Sequence, residues 1–483
     1  MKLVKGLSIL SAAILLAACG SGSSSSSSSD SDKGDNTALN VYDFPSKLIS
    51  GDSSVSHSGQ ATRHILINEI KNLIASDEFQ SAADKATALG MLNDVYAKGT
   101  KDTIGNLIST NVYTAGQEAT LVNVSIKTEN ATLKQVDYSD VSDDKNLQGK
   151  IAGKDNLLSA GEFIGWDVIT TGDDAVKGEG VNAAPELLIQ EWFDLLAERA
   201  GDGDADTNYV TEEGLDLQQL VQKFLLGAVT YSQAAEDYLK LDKGLVKQNS
   251  TGDKEGKPYT SLEHQWDEGF GYFGAAHDYN LYTDAENKAQ QDNDTNLDGT
   301  IDLYSEYSFG HSANAAKRDK GSADNAAATD FSKGAMDAFI AGRSLIQANY
   351  GTDPVLGEGY QVELVAISKV ALENWEKAVA ATVVHYINDV TADYANYGTA
   401  EFNSSNLAKH WSEMKGFALG LQFSQVPVIS MADLEIVHAA FGEAPVLLGA
   451  DQAAVDVYVA KLADARAVMQ TAYEFDADNV ANW

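Results

Sequence analysis

The sequence has almost no cysteine and little proline, with one cysteine and six prolines in 483 residues. A single cysteine excludes an internal disulfide and a thiolate metal site, so a metal would be bound by carboxylate, imidazole, carbonyl or water ligands. Those ligands favour hard or borderline cations such as calcium, manganese or iron. Scarce proline beside abundant alanine favours long helices.

Basic residues are also scarce, because 34 lysines and arginines face 71 aspartates and glutamates, for a formal net charge of −37. A surface this acidic repels nucleic acid, which we exclude as a partner, and it concentrates cations. Solubility or adaptation to salt water would explain the same charge without any ligand.

The sequence lacks the G-x-S-x-G elbow, the phosphate-binding loop, the H-E-x-x-H helix and the dinucleotide-binding fingerprint. No other complete catalytic constellation is evident. We therefore favour a protein that is not an enzyme and keep a hydrolase as the least supported alternative.

Residues 1–18 have the form of a secretory signal peptide, with a basic start and an apolar stretch too short for the roughly 20 residues that span a bilayer. Leu16-Ala17-Ala18-Cys19 resembles the lipobox of bacterial lipoproteins. The resemblance implies cleavage before Cys19 and a lipid on its thiol, so that the anchor makes the membrane a partner. Gly20, where Asp would favour the inner membrane, implies the outer membrane of a Gram-negative bacterium, on either face. An ordinary signal peptide with a chance cysteine is the alternative.

After this anchor, residues 19–39 are rich in serine and aspartate and predict a flexible tether. Apolar residues at helical spacing predict a mostly α fold over residues 40–483. Alternation at residues 121–126 predicts a small β ribbon near the N-terminus, and residues 147–180 are expected to be irregular. The predicted helices span residues 63–79, 82–97, 186–200, 214–239, 261–279, 324–349, 359–397, 404–424, 431–441 and 452–475.

Two segments of the chain are alike. Residues 262–274 and 407–420 each follow a long predicted helix, and each carries His, Trp and an acid, then Gly-Phe and a further glycine. This internal similarity predicts two helical bundles related by a pseudo-repeat, with halves of approximately 40–320 and 321–483. A chance match of two short segments is the alternative. We expect Gly269, Gly271 and Gly274 to permit close helix packing.

Each of these segments contains an acid–imidazole pair. His264 and Glu268 are four residues apart and His410 and Glu413 are three apart, so each pair shares one helix face. Such pairs ligate metals in helix bundles, and their duplication suggests one site for iron or another divalent metal. A histidine beside a tryptophan is also typical of a hydrogen-bonded core residue. His277, nine residues after Glu268, is expected on another part of the same helix.

An acidic run suggests a calcium site. Starting at Asp294, its oxygen-bearing side chains follow the spacing of an EF-hand loop, with Gly299 at the sixth position. Ser305 replaces the bidentate glutamate at the twelfth position, and Glu306 comes one residue late. A solvated acidic loop is the alternative. The expected calcium ligands are Asp294, Asn296, Asp298, Thr300 and Asp302.

A weaker version of the same calcium pattern begins at Asp202 and has Glu213 at its twelfth position. Thr207 stands where the pattern requires glycine. Because both acidic loops border predicted helices, calcium there would serve to order a loop.

The segment from Ala408 to Glu413 is similar to the G-x-H-x-x-E motif of imelysin-like proteins, with Ala408 in place of glycine. Residues 264–274 resemble a bacterial lipoprotein family designated domain of unknown function 4856. The resemblance would cover residue 40 to the C-terminus. It implies two all-helical bundles related by a pseudo-twofold axis, export, lipid anchoring and association with iron uptake. It also implies that His410 and Glu413 occupy the motif site.

The sequence therefore predicts a lipid-anchored, extracytoplasmic, metal-associated binding protein linked to iron acquisition, with an iron-uptake protein as a partner. A structural or adhesive surface lipoprotein stabilised by calcium is the first alternative, and a hydrolase is the second.

Overall fold

Helices dominate the structure, a computed structural model, and confirm the predicted fold class. The structure describes residues 40–99, 134–135, 141–142, 145–168, 180–201, 208–289, 295–296, 300–321, 329–447 and 449–483. The signal peptide, Cys19, the tether, the ribbon at residues 121–126 and the aspartates of the weaker calcium loop, Asp202, Asp204 and Asp206, lie outside these ranges, whereas Glu213 of that loop lies within them. Leu39–Trp483 forms one compact unit.

The α-helices of the described residues are numbered in chain order. They are α1 Ser58–Ile74, α2 Asp77–Gln80, α3 Lys85–Asn93, α4 Ala184–Arg199, α5 Leu217–Leu225, α6 Ser261–Phe273, α7 Asp284–Ala289, α8 Gly310–Asp319, α9 Phe331–Ala348, α10 Tyr360–Ala395, α11 Ser404–Gly420, α12 Met431–Phe441, α13 Gln452–Tyr473 and α14 Ala477–Asn482. The strands, β1 Lys134–Gln135 and β2 Thr300–Ile301, pair in parallel.

Short helices of other types join these elements. Asp94–Lys98 is a π-helix after α3, and α5 continues through the π-helices Leu226–Tyr231 and Ala234–Tyr238. The 3₁₀-helices are Gln148–Lys150, Gly180–Ala183, Gly244–Val246 and Tyr279–Leu281.

The helix that begins with α5 lies at the centre of the core. Every residue from 214 to 239 is buried, including polar ones such as Gln222 and Ser232. Helices α1 and α11 pack on it, α10 packs on α11, and α9 packs on α10. The sequence predicted a helix over residues 214–239, and the structure surrounds this helix with neighbours on all sides.

Several helix boundaries differ from the predictions, and some short helices were not predicted. Helix α6 ends at Phe273 instead of residue 279, because Gly274 adopts a left-handed conformation with φ 76° and caps the helix. Helix α8 was not predicted, since it is short and rich in alanine and polar residues. Within the described ranges, no helix combines the length and apolarity needed to cross a membrane.

A buried charge network ties the N-terminal segment to the helices. Arg343 of α9 is fully buried and donates to Asp267 Oδ1 at 2.8 Å and to Glu263 Oε1 at 2.9 Å. Tyr42 donates its hydroxyl to the same Asp267 oxygen at 2.7 Å, and the Ser56 amide donates to Oδ2 at 3.1 Å. The network thereby fixes the chain just before α1 against α6.

Candidate functional site

The first cavity opens where α1 begins. His57 precedes the helix without capping it through its side chain, and the first turn contains no acid. The first amides of a helix lack intrahelical acceptors and carry partial positive charge. This end of α1 therefore attracts anions.

Helix α6 supplies the facing wall of the cavity. It starts with a capping box, in which the Thr260 amide donates to Glu263 Oε2 at 2.8 Å and the Glu263 amide donates to Thr260 Oγ1 at 3.2 Å. A Cβ atom on Gly271 would lie 2.6 Å from Cβ of His57, and one on Gly269 would lie 2.9 Å from Leu239. The close packing predicted for these two glycines is confirmed.

The predicted pair His264 and Glu268 lines this cavity. His264 donates from Nδ1 to the Ser56 carbonyl at 3.0 Å and stacks on Tyr259 at 4.5 Å between ring centroids. Its Nε2 lies 3.9 Å from Glu268 Oε1. Glu268 Oε1 also accepts from the side-chain amide of Gln60 at 3.0 Å, so this oxygen is already hydrogen-bonded.

Cationic side chains surround the same space. Arg63, Lys145, Lys150 and Lys257 line a cavity of about 390 Å³ in which Glu268 is the acidic lining residue. Lys150 pairs with Asp155 at 2.5 Å. In the described part of the chain, the other three make no ion pair within 4.0 Å. The cavity is therefore a basic site in a strongly acidic protein.

A pair of buried histidines lies beside the cavity. Nε2 of His57 is 2.8 Å from Nε2 of His277, so one ring donates to the other. Burial lowers the pKa of His277 to about 4 and that of His57 well below its usual value, which keeps both rings neutral at pH 7. The expectation that His277 continues the α6 helix is wrong, because Gly274 turns the chain back towards α1.

The second predicted pair lies on α11. His410 Nδ1 is 2.8 Å from Asp393 Oδ2 of α10, and this hydrogen bond raises the pKa of the ring. Glu413 is 7 % exposed and lies 3.3 Å from Nζ of Lys223. Burial alone would raise the pKa of Glu413, but Lys223, Lys409 and Lys71 together lower it.

Helix α1 separates the two pairs. Gln60 near its start donates to Glu268, whereas Lys71 near its end interacts with Glu413. These two positions are 11 residues apart, or roughly 16 Å along the helix axis. The pairs thus form two sites. In the described ranges, no group of three or more His, Asp, Glu or Cys residues is arranged to hold a metal ion. Metal ligation by either pair stays a prediction.

The predicted calcium loop lies partly outside the described ranges, since Asp294 and Asp298 belong to the omitted residues. Thr300 lies in β2, and Asn296 donates its amide to Glu306 Oε1 at 3.1 Å. Asp302 donates its amide to Glu306 Oε2 at 2.9 Å. Glu306 therefore orders the loop through backbone hydrogen bonds, and calcium binding stays a prediction.

These features define a mostly helical protein with a charged cavity between its helices. The chain belongs to the family described as "Domain of unknown function (DUF4856)", which it matches over residues 41–432. No curated protein and no solved structure matches the chain. The family resemblance predicted from the sequence is confirmed, while the imelysin-like relationship stays a prediction.

The sequence did not indicate the basic residues of the cavity. Arg63, Lys145, Lys150 and Lys257 come from three distant stretches of chain, so no single local motif joins them. The one available signal was their scarcity in an acidic sequence, which does not show that they meet.

Proposed function

We propose that the protein is a lipid-anchored, extracytoplasmic binding protein that holds a small anion in the cavity between α1 and α6. The proposal combines the lipobox-like Cys19 with a basic cavity in a chain of net charge −37. In such a chain, a cavity lined by four cations and one carboxylate favours an anionic solute.

The geometry at Gly59 is the observation on which this proposal rests. A Cβ atom placed there would lie 3.2 Å from Cε of Lys145 and 3.4 Å from Nη1 of Arg63. Two cationic side chains therefore lie at the first turn of α1, where the helix N-terminus carries partial positive charge. Helix N-termini with neighbouring cations bind phosphate and carboxylate groups.

The same electrostatics argue against a bare metal cation at His264 and Glu268. Four cationic side chains line the cavity, and Glu268 already accepts from Gln60 and Gln265. An anion would gain attraction from all four, whereas a metal ion would be repelled by them. We assign these two residues to the wall of an anion site.

Binding of phosphate and citrate tests the proposal. We expect calorimetry to detect binding at constant ionic strength, and the Lys145→Gln, Lys257→Gln double variant to weaken it by about tenfold, or roughly 1.4 kcal/mol. Lys461→Gln is the matched control, since Lys461 is an exposed residue of α13. Absence of binding, or equal affinity in all three proteins, would overturn the assignment.

The anchor is tested separately. Cells expressing the chain and fed a labelled fatty acid should incorporate the label, and Cys19→Ala should abolish incorporation and release the protein from membranes. Label retained in Cys19→Ala would remove the lipoprotein part of the proposal without affecting the cavity.

A metal-associated role linked to iron acquisition is the second candidate function, and it is favoured by His410. Because Nδ1 bonds to Asp393, Nε2 is the nitrogen left for a metal, as in carboxylate–histidine–metal arrangements. Glu413 lies one turn further along α11.

Metal analysis of the purified protein tests this second role. Wild type should retain iron that His410→Ala and Glu413→Ala lose. Negligible iron in all three proteins would exclude the metal role.

A further inference from the structure

A second cavity lies between residues 163–167 and helices α11 and α12. Its volume is about 410 Å³, and it shares no lining residue with the anion site. Phe163 and Trp166 form part of the wall, and Lys415 and His438 line it as well. Its chemistry is therefore aromatic and amine-bearing.

Lys415 is only 1 % exposed, and contacts inside the protein hold its amine in place. Its Nζ donates to the Gly442 carbonyl at 2.7 Å and lies 5.8 Å from the centroid of the Trp166 ring. In the described residues it has no carboxylate within 4.0 Å. Burial lowers its pKa to about 7, with Glu443 opposing the shift. Much of the amine is therefore uncharged, and hence nucleophilic, at neutral pH.

His438 of α12 is the second functional group of the cavity. It is 4 % exposed, and neither ring nitrogen makes a hydrogen bond of normal geometry in the described chain. Burial, with Lys415 adding to it, lowers the pKa of the ring well below its usual value, although the Ala418 backbone opposes the shift. A Cβ atom on Gly165 would lie 2.6 Å from Cγ of His438, so glycine is required where the wall covers the ring.

Charge at the cavity limits what can enter it. Asp167, Glu435 and Glu443 are exposed lining residues, and they repel anionic molecules. A flat apolar body, in contrast, can contact Phe163 and Trp166. The cavity therefore favours a small aromatic molecule that carries no negative charge.

We propose that this cavity takes a small aromatic aldehyde and that Lys415 binds it covalently as an imine. The amine nitrogen attacks the carbonyl carbon to form a carbinolamine, and the hydroxyl group leaves as water when the C=N bond forms. One aldehyde and one amine give one imine and one water, without an oxidant or reductant. His438 passes the proton between nitrogen and oxygen. This site is independent of the proposed anion site.

Reductive trapping tests the proposal. Benzaldehyde with cyanoborohydride at pH 7 converts any imine to a stable secondary amine, which peptide mass mapping locates. We expect Lys415 to be labelled about tenfold faster than exposed Lys461, because an ordinary lysine with a pKa near 10.4 is almost fully protonated at pH 7. Labelling of Lys415 no faster than of Lys461 would overturn the proposal, and this outcome needs no variant.

Two further arms test the roles of the lining residues. 4-Carboxybenzaldehyde should label Lys415 several-fold more slowly than benzaldehyde does, while labelling of Lys461 changes little. His438→Asn should slow labelling of Lys415, and added imidazole should partly restore the rate, which a merely structural role would not permit. Equal labelling by both aldehydes, or an unchanged rate in His438→Asn, would contradict these roles.

Discussion

Arg343 shows how one residue can hold several segments together. Its guanidinium donates to Asp267 and Glu263 of α6 and to the Ser54 hydroxyl at 2.6 Å. Burial raises the pKa of Asp267 to about 6, although Arg343 opposes this shift. Arg343 thus stabilises the buried carboxylates of Asp267 and Glu263, and its loss would leave them buried without an opposite charge.

We expect Arg343→Met to lower the free energy of unfolding by about 3–5 kcal/mol, because it leaves Asp267 and Glu263 buried without their cation. Urea denaturation followed by circular dichroism measures the change. Lys333→Met is the control, since Lys333 and Asp337 are both 51 % exposed and should contribute little. Equal effects of the two substitutions would show that the buried network does not stabilise the fold.

His311 links stability to pH. Its Nε2 donates to the Leu226 carbonyl at 3.0 Å, and burial lowers its pKa to about 4. As pH falls from about 6.5 towards 4, the unfolded chain takes up a proton that the folded chain does not, so stability is lost. Between pH 6.5 and 5 wild type should lose about 1.5 kcal/mol more than His311→Gln, measured by urea denaturation. An identical pH dependence in both proteins would contradict this account.

At the scale of the helices, two glycines permit a close crossing. A Cβ atom on Gly227 would lie 2.4 Å from Cα of Gly420, so the helix that continues α5 and helix α11 meet backbone to backbone. No side chain can move aside to relieve that overlap. The crossing fixes α11, which carries Glu413 and Lys415, against the central helix.

Gly227→Ala should therefore destabilise the protein by about 2–3 kcal/mol through overpacking. Gly90→Ala is the matched control, because Gly90 lies in α3 with nothing within 4 Å of its Cβ position. The control should stabilise the protein by about 0.5–1 kcal/mol, since alanine favours a helix. Thermal unfolding of both variants measures the difference, and a neutral Gly227→Ala would mean that the helices separate easily.

The sequence predicted the helices better than the sites. Residues 431–441 coincide with α12 because Ser430 caps the helix and the apolar period is clear. The end of α6 was missed because the Gly274 cap lies among other glycines, which the apolar pattern does not distinguish. His277 and the cavity cations could not be predicted, because their meeting depends on tertiary packing rather than on local spacing.

At the scale of the whole molecule, the net charge of −37 means that the excess carboxylates repel one another in the folded state. Raising sodium chloride from about 0.02 to 0.3 M screens this repulsion. We expect a gain of about 1 kcal/mol, or roughly 1–2 °C in Tm for a chain of this length.

Phosphate distinguishes this general screening from binding. At equal ionic strength it should raise Tm further than chloride, because the basic cavity binds it. The additional increase should disappear in the Lys145→Gln, Lys257→Gln double variant. An increase that persists in that variant would assign it to another part of the surface.

The burial of residues 214–239 on all sides determines how the molecule can open. Amides of that helix exchange with deuterium only when the surrounding helices come apart, so they report on global unfolding. Amides of α13, which is exposed along much of its length, can exchange through local fraying. Exchange rates in the central helix therefore measure opening of the whole fold separately from fraying at α13.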